Sequence, residues 1–431
     1  MSGEKPREIA LHVLTRAAGG DFIEDRLEAA LAQSRLSSLD RHLCQELAYG
    51  TVRWQATLDW LIARKTEGRE QKPVLRNLLR LGLYQIFWLE RIPGHAAVNE
   101  TVELARHSGY NTQAGFVNAI LRAYLREFDA TRLLLAALKT EQPHLGYSHP
   151  EWLVARWHKR WGADRTAQLM EWNNTPPKTF ARVNTLKADP GKLLAQWREE
   201  GVEYDFIRRD WMDENLVFEL KSHPPLSRLP SFQQGWFYVQ DPSTLLAARE
   251  LDPQPGESVL DLCAAPGGKL TYLAQLMRNE GRLVAHDTTP ARLKLVEENC
   301  ARLGITCVQT LLPATLHTPR STLFDRILLD APCSNTGVIR RRVDLRWRIR
   351  LKEINRLQAT QRELLRQAAM LLRPGGTLIY STCSLEPEEN RQVVDEFLGQ
   401  HPAFRLERAR ELLPFLDGVD GTYVARLVSN R

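Results

Sequence analysis

The chain has 431 residues, 43% apolar and 26% charged, the balance of soluble globular protein; that length exceeds one ordinary core and implies about three domains. No stretch approaches the roughly 20 apolar residues of a membrane span, and Met1-Ser2-Gly3-Glu4-Lys5 lacks the apolar core of an export signal, so the expected location is the cytoplasm. The net charge of +6 is mild, and the six cysteines (Cys44, Cys263, Cys300, Cys307, Cys333, Cys383) form no CxxC pair, so they read as reduced thiols.

Residues 5 to about 128 repeat apolar positions at helical spacing, such as Leu43, Leu47, Leu58 and Leu61, then Val74, Leu75, Leu78 and Leu79. Gly19-Gly20 closes the first helix, Ser38 to Asp40 caps another, and Pro93-Gly94 ends a long one. A further helix from about 112 to 127 puts Phe116, Val117, Ile120, Leu121 and Tyr124 on its apolar face. An all-α domain is therefore expected over 1–140. The pattern changes between Gln142-Pro143 and Ser148-His149-Pro150. Two more helices follow, then extended or alternating runs at 179–184, 202–207 and 216–220 around a helix near 191–200, an α+β module over 145–234. From Gly235 onward, strand candidates at 258–262, 283–287, 307–311, 324–330 and 377–382 alternate with helices. That alternation predicts an α/β domain over 235–431, a doubly wound Rossmann-like parallel sheet. The tail, 404–408 and 423–428, reads as an antiparallel hairpin.

Ala265-Pro266-Gly267-Gly268-Lys269 follows the first sheet strand and opens a helix, where glycines let backbone amides approach a ligand. Asp287 ends the next strand, in place to accept from ribose hydroxyls. Cys263 and Leu270 exclude a Walker loop, and GxGxxG is absent. The turn is either a nucleotide-like cofactor site or only a tight connection.

Cys333 and Cys383 each follow an apolar run. If those runs are neighbouring parallel strands, both thiols emerge at one carboxyl edge. C5 of a pyrimidine is a poor nucleophile until a group adds to C6, a task suited to a thiolate. A second group must then take the C5 proton, and an acid must meet N3. Asp330, desolvated beside a base, would hold such a proton. Ser384, Glu386 and Pro387 after Cys383 read as a helix start, which lowers a thiol's pKa. The other four cysteines read as small buried apolar residues. Residues 340–352 hold six Arg, one Lys and a Trp against a single Asp. Arg340, Arg341, Arg342 and Arg346 are candidate phosphate contacts, and Trp347 a stacking plane for RNA.

On these residues the chain resembles the Sun/Nop-type RNA cytosine-5 methyltransferases, and more closely the bacterial 16S ribosomal RNA enzymes of that group. Matching stretches include Glu46-Leu47-Ala48-Tyr49-Gly50, Leu79-Arg80-Leu81-Gly82-Leu83-Tyr84-Gln85, Ala96-Ala97-Val98-Asn99-Glu100, Arg182-Val183-Asn184 and Val239-Gln240-Asp241. The resemblance implies that the helical domain is a NusB-like RNA-binding domain. It implies S-adenosylmethionine held by Cys263, Ala264, Ala265, Pro266, Gly267, Gly268 and Lys269, with Asp287 at its ribose and Asp330 by its methionine end and the target base. It also implies that Cys383 is the nucleophile and that Cys333 assists product release. The substrate would be ribosomal RNA, free or in a small-subunit particle, with no metal and no membrane. Three departures stand out: Leu311-Leu312-Pro313-Ala314 where the family places an Asp for the adenine, Asn335 where it has glycine, and Arg342-Val343 where it has His-Pro. Two other readings remain open: Cys333 as nucleophile, as in DNA cytosine-5 methyltransferases, and a non-catalytic RNA-binding assembly factor.

Overall fold

The computed structural model describes residues 5–16, 22–312 and 323–430. Gly19, Gly20, Pro313 and Ala314 lie outside them, so the turn and the missing-Asp position expected there are not described. The chain divides into two compact units: residues 1–176 with 339–348, and residues 177–338 with 349–431.

Apolar spacing builds the first unit. Helix Ser38–Arg53 starts where Ser37 accepts from the Asp40 amide, Pro73 opens Pro73–Trp88, and Pro93 precedes Gly94–His107. Leu47, Leu58, Leu61, Leu78, Leu79, Val117 and Leu121 fill one core, as expected, while Phe116 turns out to be exposed. Helices Glu151–Trp161 and Ala163–Asn174 belong to this unit. The change of pattern at 140–145 therefore falls inside a packed body.

The second unit holds two sheets. In the smaller, β1 (Thr179–Val183), β2 (Glu203–Phe206), β3 (Val217–Ser222) and β4 (Phe237–Val239) pair antiparallel in the order β2-β3-β1-β4. Asp189 caps helix Pro190–Glu200 through the Lys192 amide, and that helix buries Leu193 and Trp197 against Phe218 and Phe237. β4 lies within 235–431, the span expected to form the sheet domain, yet it pairs with β1 in the smaller sheet. Three residues carry too little alternation to reveal their partner.

The larger sheet contains β5 (Ser258–Asp261), β6 (Arg282–His286), β7 (Val308–Leu311), β8 (Phe324–Asp330), β9 (Leu372–Thr382), β10 (Phe404–Leu412) and β11 (Thr422–Ser429). Its order is β10-β11-β9-β8-β5-β6-β7. β7, β6, β5, β8 and β9 run parallel, and the tail hairpin adds β11 and β10 antiparallel. Leu260, Ile327, Leu329 and Leu378 face Leu365, Ala368, Val393 and Val394 of two helices. Val259, Leu283, Leu328 and Ile379 pack with Leu246, Leu270, Leu273 and Val296 on the other side. Burial on both faces explains why these strands read as unbroken apolar runs. The chain winds outward from β5 to β7 and then crosses to β8, so the carboxyl ends of β5 and β8 flank a topological switch point, where such folds bind ligands.

Candidate active site

β5 ends at Asp261, and the turn that follows reverses through Gly267, at φ +106°, into helix Gly268–Leu276. Glycine takes this left-handed backbone without steric cost. Asp261 is 1% exposed, and its Oδ1 has no hydrogen-bond partner among the described residues. Burial, then the charge of Asp330, pushes its carboxyl up to about 8. Across the turn, Asp287 accepts from the Ala265 amide at 2.9 Å, the Thr288 amide at 2.7 Å and Arg292 Nε at 2.6 Å. Burial raises its pKa, but these donors outweigh it and hold the carboxylate below its usual range. Asp287 thus stands where expected, with Arg292 already on it. Cys263 is pushed up by burial and stays a neutral thiol.

β8 and β9 pair with Asp330 opposite Ser381, so the chain leaves both strands at the same level. Cys333 and Cys383 meet there with their sulfurs 3.2 Å apart. The Cys333 thiol is held well above its usual pKa by its hydrogen bond with Cys383 and by burial. Cys383 donates to Asn335 Oδ1 at 2.8 Å, and Asn335 Nδ2 donates to the Cys333 carbonyl at 2.8 Å. Lys269 reaches from the glycine turn to Asp330 at 2.6 Å, and Ser381 Oγ donates to the other oxygen at 2.9 Å.

Burial lowers the pKa of Lys269, but the charge and hydrogen bond of Asp330 raise it more. One expectation changes here: Cys383 does not open a helix. A short turn, Pro387–Glu389, intervenes before helix Arg391–Gln400.

Sequence reasoning missed the brace behind the thiols. Glu389, fully buried, accepts from the Ser334 amide at 2.8 Å, Gln361 Nε2 at 3.1 Å, Ser384 Oγ at 2.5 Å and the Ser334 hydroxyl. It ties together the two turns that carry the cysteines. The available signal was the repeated Cys-Ser pair, Cys333-Ser334 and Cys383-Ser384, since matched hydroxyls need a shared acceptor when buried.

The basic run divides. Arg346, 0% exposed, gives its donors to the carbonyls of Arg53, Ser148 and Asn173 and to Asn174 Oδ1. Arg340 is buried over the Trp172 ring at 3.9 Å, and Trp347 Nε1 donates to the Val52 carbonyl at 2.9 Å. All three belong to the first unit. Helix ends leave carbonyls unpaired at the negative pole of the dipole, and a guanidinium satisfies several at once. Arg340, Arg346 and Trp347 are therefore packing elements, a correction to their expected place on an RNA-facing surface. Arg342 is exposed and Arg341 half-buried.

Among the described residues no helix is long and apolar enough to cross a membrane, and no cluster of three or more His, Cys, Asp or Glu could hold a metal ion. Residues 248–427 match the family described as 16S rRNA methyltransferase RsmB/F, residues 4–126 the NusB family, and residues 149–219 an RsmF/B-like ferredoxin-like domain. The chain is 36% identical to the probable ribosomal RNA small subunit methyltransferase B of Bacillus subtilis (strain 168), over 98% of each protein. It is 36% identical to ribosomal RNA small subunit methyltransferase B of Klebsiella pneumoniae (MGH 78578), over 93% of this chain and 92% of that protein. A solved methyltransferase homologue from Pyrococcus horikoshii covers 66% of this chain and 97% of its own, at 33% identity and a TM-score of 0.58.

Proposed function

Because the chain belongs to the RsmB/F family of ribosomal RNA small-subunit methyltransferases, we propose that it methylates C5 of a cytosine in 16S ribosomal RNA through a covalent bond between Cys383 and C6. The observation that carries this reading is two thiols 3.2 Å apart beyond the ends of β8 and β9, where Lys269 of the glycine turn meets Asp330.

S-adenosylmethionine, when bound, supplies an electrophilic methyl group. The residues to hold it are Cys263, Ala264, Ala265, Pro266, Gly267, Gly268 and Lys269, with Asp287 and Asp330 beside them. Asp261 supports that fit: a buried carboxyl oxygen without a donor suits a ligand that brings positive charge or N–H groups. Cys383 adds to C6 as the thiolate, and the S–C6 bond pushes electron density onto C5 and N3. The Lys269–Asp330 pair carries the proton that meets the charge at N3. C5 takes the methyl group; on elimination the C5 proton passes to water, the S–C6 bond breaks, N3 returns its proton to the Lys269–Asp330 pair, and the protonated Cys333 donates a hydrogen bond to the departing sulfur. The target base has to be unstacked, since its C5 and C6 are closed to this chemistry inside a helix. We assign RNA binding to the NusB-like residues 4–126, to the 145–234 segment and to Arg341 and Arg342, with residues 235–431 as the catalytic domain.

The test is trapping on a denaturing gel with 16S RNA. Cys383→Ala is expected to abolish turnover and leave no adduct, and Cys333→Ala to accumulate protein bound to RNA. The opposite pattern would make Cys333 the nucleophile. Mapping 5-methylcytosine in RNA from cells with and without the protein identifies the base.

A further inference from the structure

We propose that Asn335 is a positioning residue for the nucleophile: it keeps the Cys383 thiol in a resting hydrogen bond that has to be released before the sulfur attacks. The inference rests on Cys383 being the nucleophile, and it adds a control over when that thiol is free to react.

Asn335 has φ +58°, the left-handed region that asparagine, aspartate and glycine tolerate better than other residues. Glycine would satisfy this backbone equally, so the turn itself does not call for a carboxamide. The side chain bridges both thiol-bearing turns. Its Nδ2 donates to the Cys333 carbonyl at 2.8 Å, which fixes the amide orientation and points Oδ1 at Cys383 Sγ, 2.8 Å away. A carboxamide oxygen only accepts. It therefore holds an S–H and offers nothing to a thiolate. With the Cys383 proton committed to Asn335, the 3.2 Å contact between sulfurs is donated by Cys333, giving a chain from Cys333 through Cys383 to Asn335. To support a thiolate the amide would have to turn over and give up its bond to the Cys333 carbonyl. Activation of the thiol is thereby coupled to the loop that carries the second cysteine.

The experiment compares Asn335→Gly and Asn335→Asp with the parent, all full-length, by alkylation with iodoacetamide at one near-neutral pH. Mass spectrometry follows the peptide containing Cys383. In this reaction the thiol proton passes to buffer, the S–C bond forms, and the C–I bond breaks with loss of iodide. Asn335→Gly removes the acceptor and is expected to speed modification of Cys383 by about threefold to tenfold, the worth of one hydrogen bond. Asn335→Asp keeps the left-handed fit but sets a carboxylate against the forming thiolate, and is expected to slow it by a similar factor. Loss of packing would move both variants the same way. Rates that shift together, or not at all, overturn the proposal. A second measurement uses the Cys333→Ala background, where RNA adduct formation should follow the order Gly, Asn, Asp from fastest to slowest. If the alkylation order holds but no member of the series forms an adduct, the nucleophile assignment fails and takes the catalytic role of Asn335 with it, while the hydrogen bond stands.

Discussion

At Asp261 a carboxyl has been taken out of water without a full set of donors, which leaves a titration signature. Its pKa is raised from 3.8 to about 8, so the folded chain binds this proton more tightly than the unfolded chain. For such a group the stabilising contribution is complete below the unfolded value and is lost as pH rises through the folded one. Asp261→Asn removes the titration. The stability of that variant relative to the parent should therefore climb between about pH 4 and pH 8 and level off above, as followed by thermal unfolding across a pH series. A flat difference would mean that the carboxyl is ordinary. Lys269 makes the complementary case, because its raised pKa keeps the ammonium charged to high pH. Lys269→Met should slow formation of the RNA adduct roughly 10²- to 10⁴-fold, the range for a positioned proton donor. The affinity for RNA, measured separately, should change far less.

The strands and turns explain which residues were legible. Four of the five parallel strands announce themselves because both faces are buried, while edge strand β7 is only partly covered, and two cysteines placed directly after two such runs imply a shared edge. Glu389 was hidden for a different reason. Glu386, Glu388 and Glu389 are interchangeable in sequence, and the Pro387–Glu389 turn sets which carboxylate meets Ser334 and Ser384. The same turn displaces the helix expected directly after Cys383. Asn335 was visible as an unusual residue, but its contact with Cys383 depends on a left-handed backbone that spacing does not reveal. The brace carries its own prediction. Glu389→Ala would strand the Ser334 amide, at a cost of about 1–3 kcal/mol, and take one acceptor from two hydroxyls and Gln361, which keep each other and the Pro332 carbonyl as partners. Removal of a buried charge offsets part of that, so a net loss of about 1–3 kcal/mol is expected in chemical denaturation. Glu389→Gln, which keeps an acceptor, should fall between that variant and the parent.

Over the whole molecule, the chain leaves the sheet-bearing unit after Val338, lends residues 339–348 to the helical unit, and returns at Ile349. A run so rich in arginine reads from sequence as a surface for phosphate. Its fate turns on carbonyls from Arg53, Ser148 and Asn173, which are far apart in the sequence and converge only in the fold. Burial and the like charge of Arg53 pull the Arg346 guanidinium well below its usual pKa, a cost accepted because four acceptors would otherwise be unpaired. The two kinds of arginine in this run should therefore separate in experiment. Arg346→Met leaves those acceptors without donors and should destabilise the protein by about 3 kcal/mol, since each buried unsatisfied group costs about 1–3 kcal/mol and local relaxation recovers part. Arg342, exposed beside it, should behave the opposite way. Arg342→Ala should shift stability by less than about 0.5 kcal/mol, and should weaken RNA binding with a salt dependence shallower by roughly one counterion. Binding isotherms over a salt series, set beside denaturation curves for both variants, decide the matter. A reduced salt slope for Arg346→Met with unaltered stability would return the buried arginine to the RNA-binding surface.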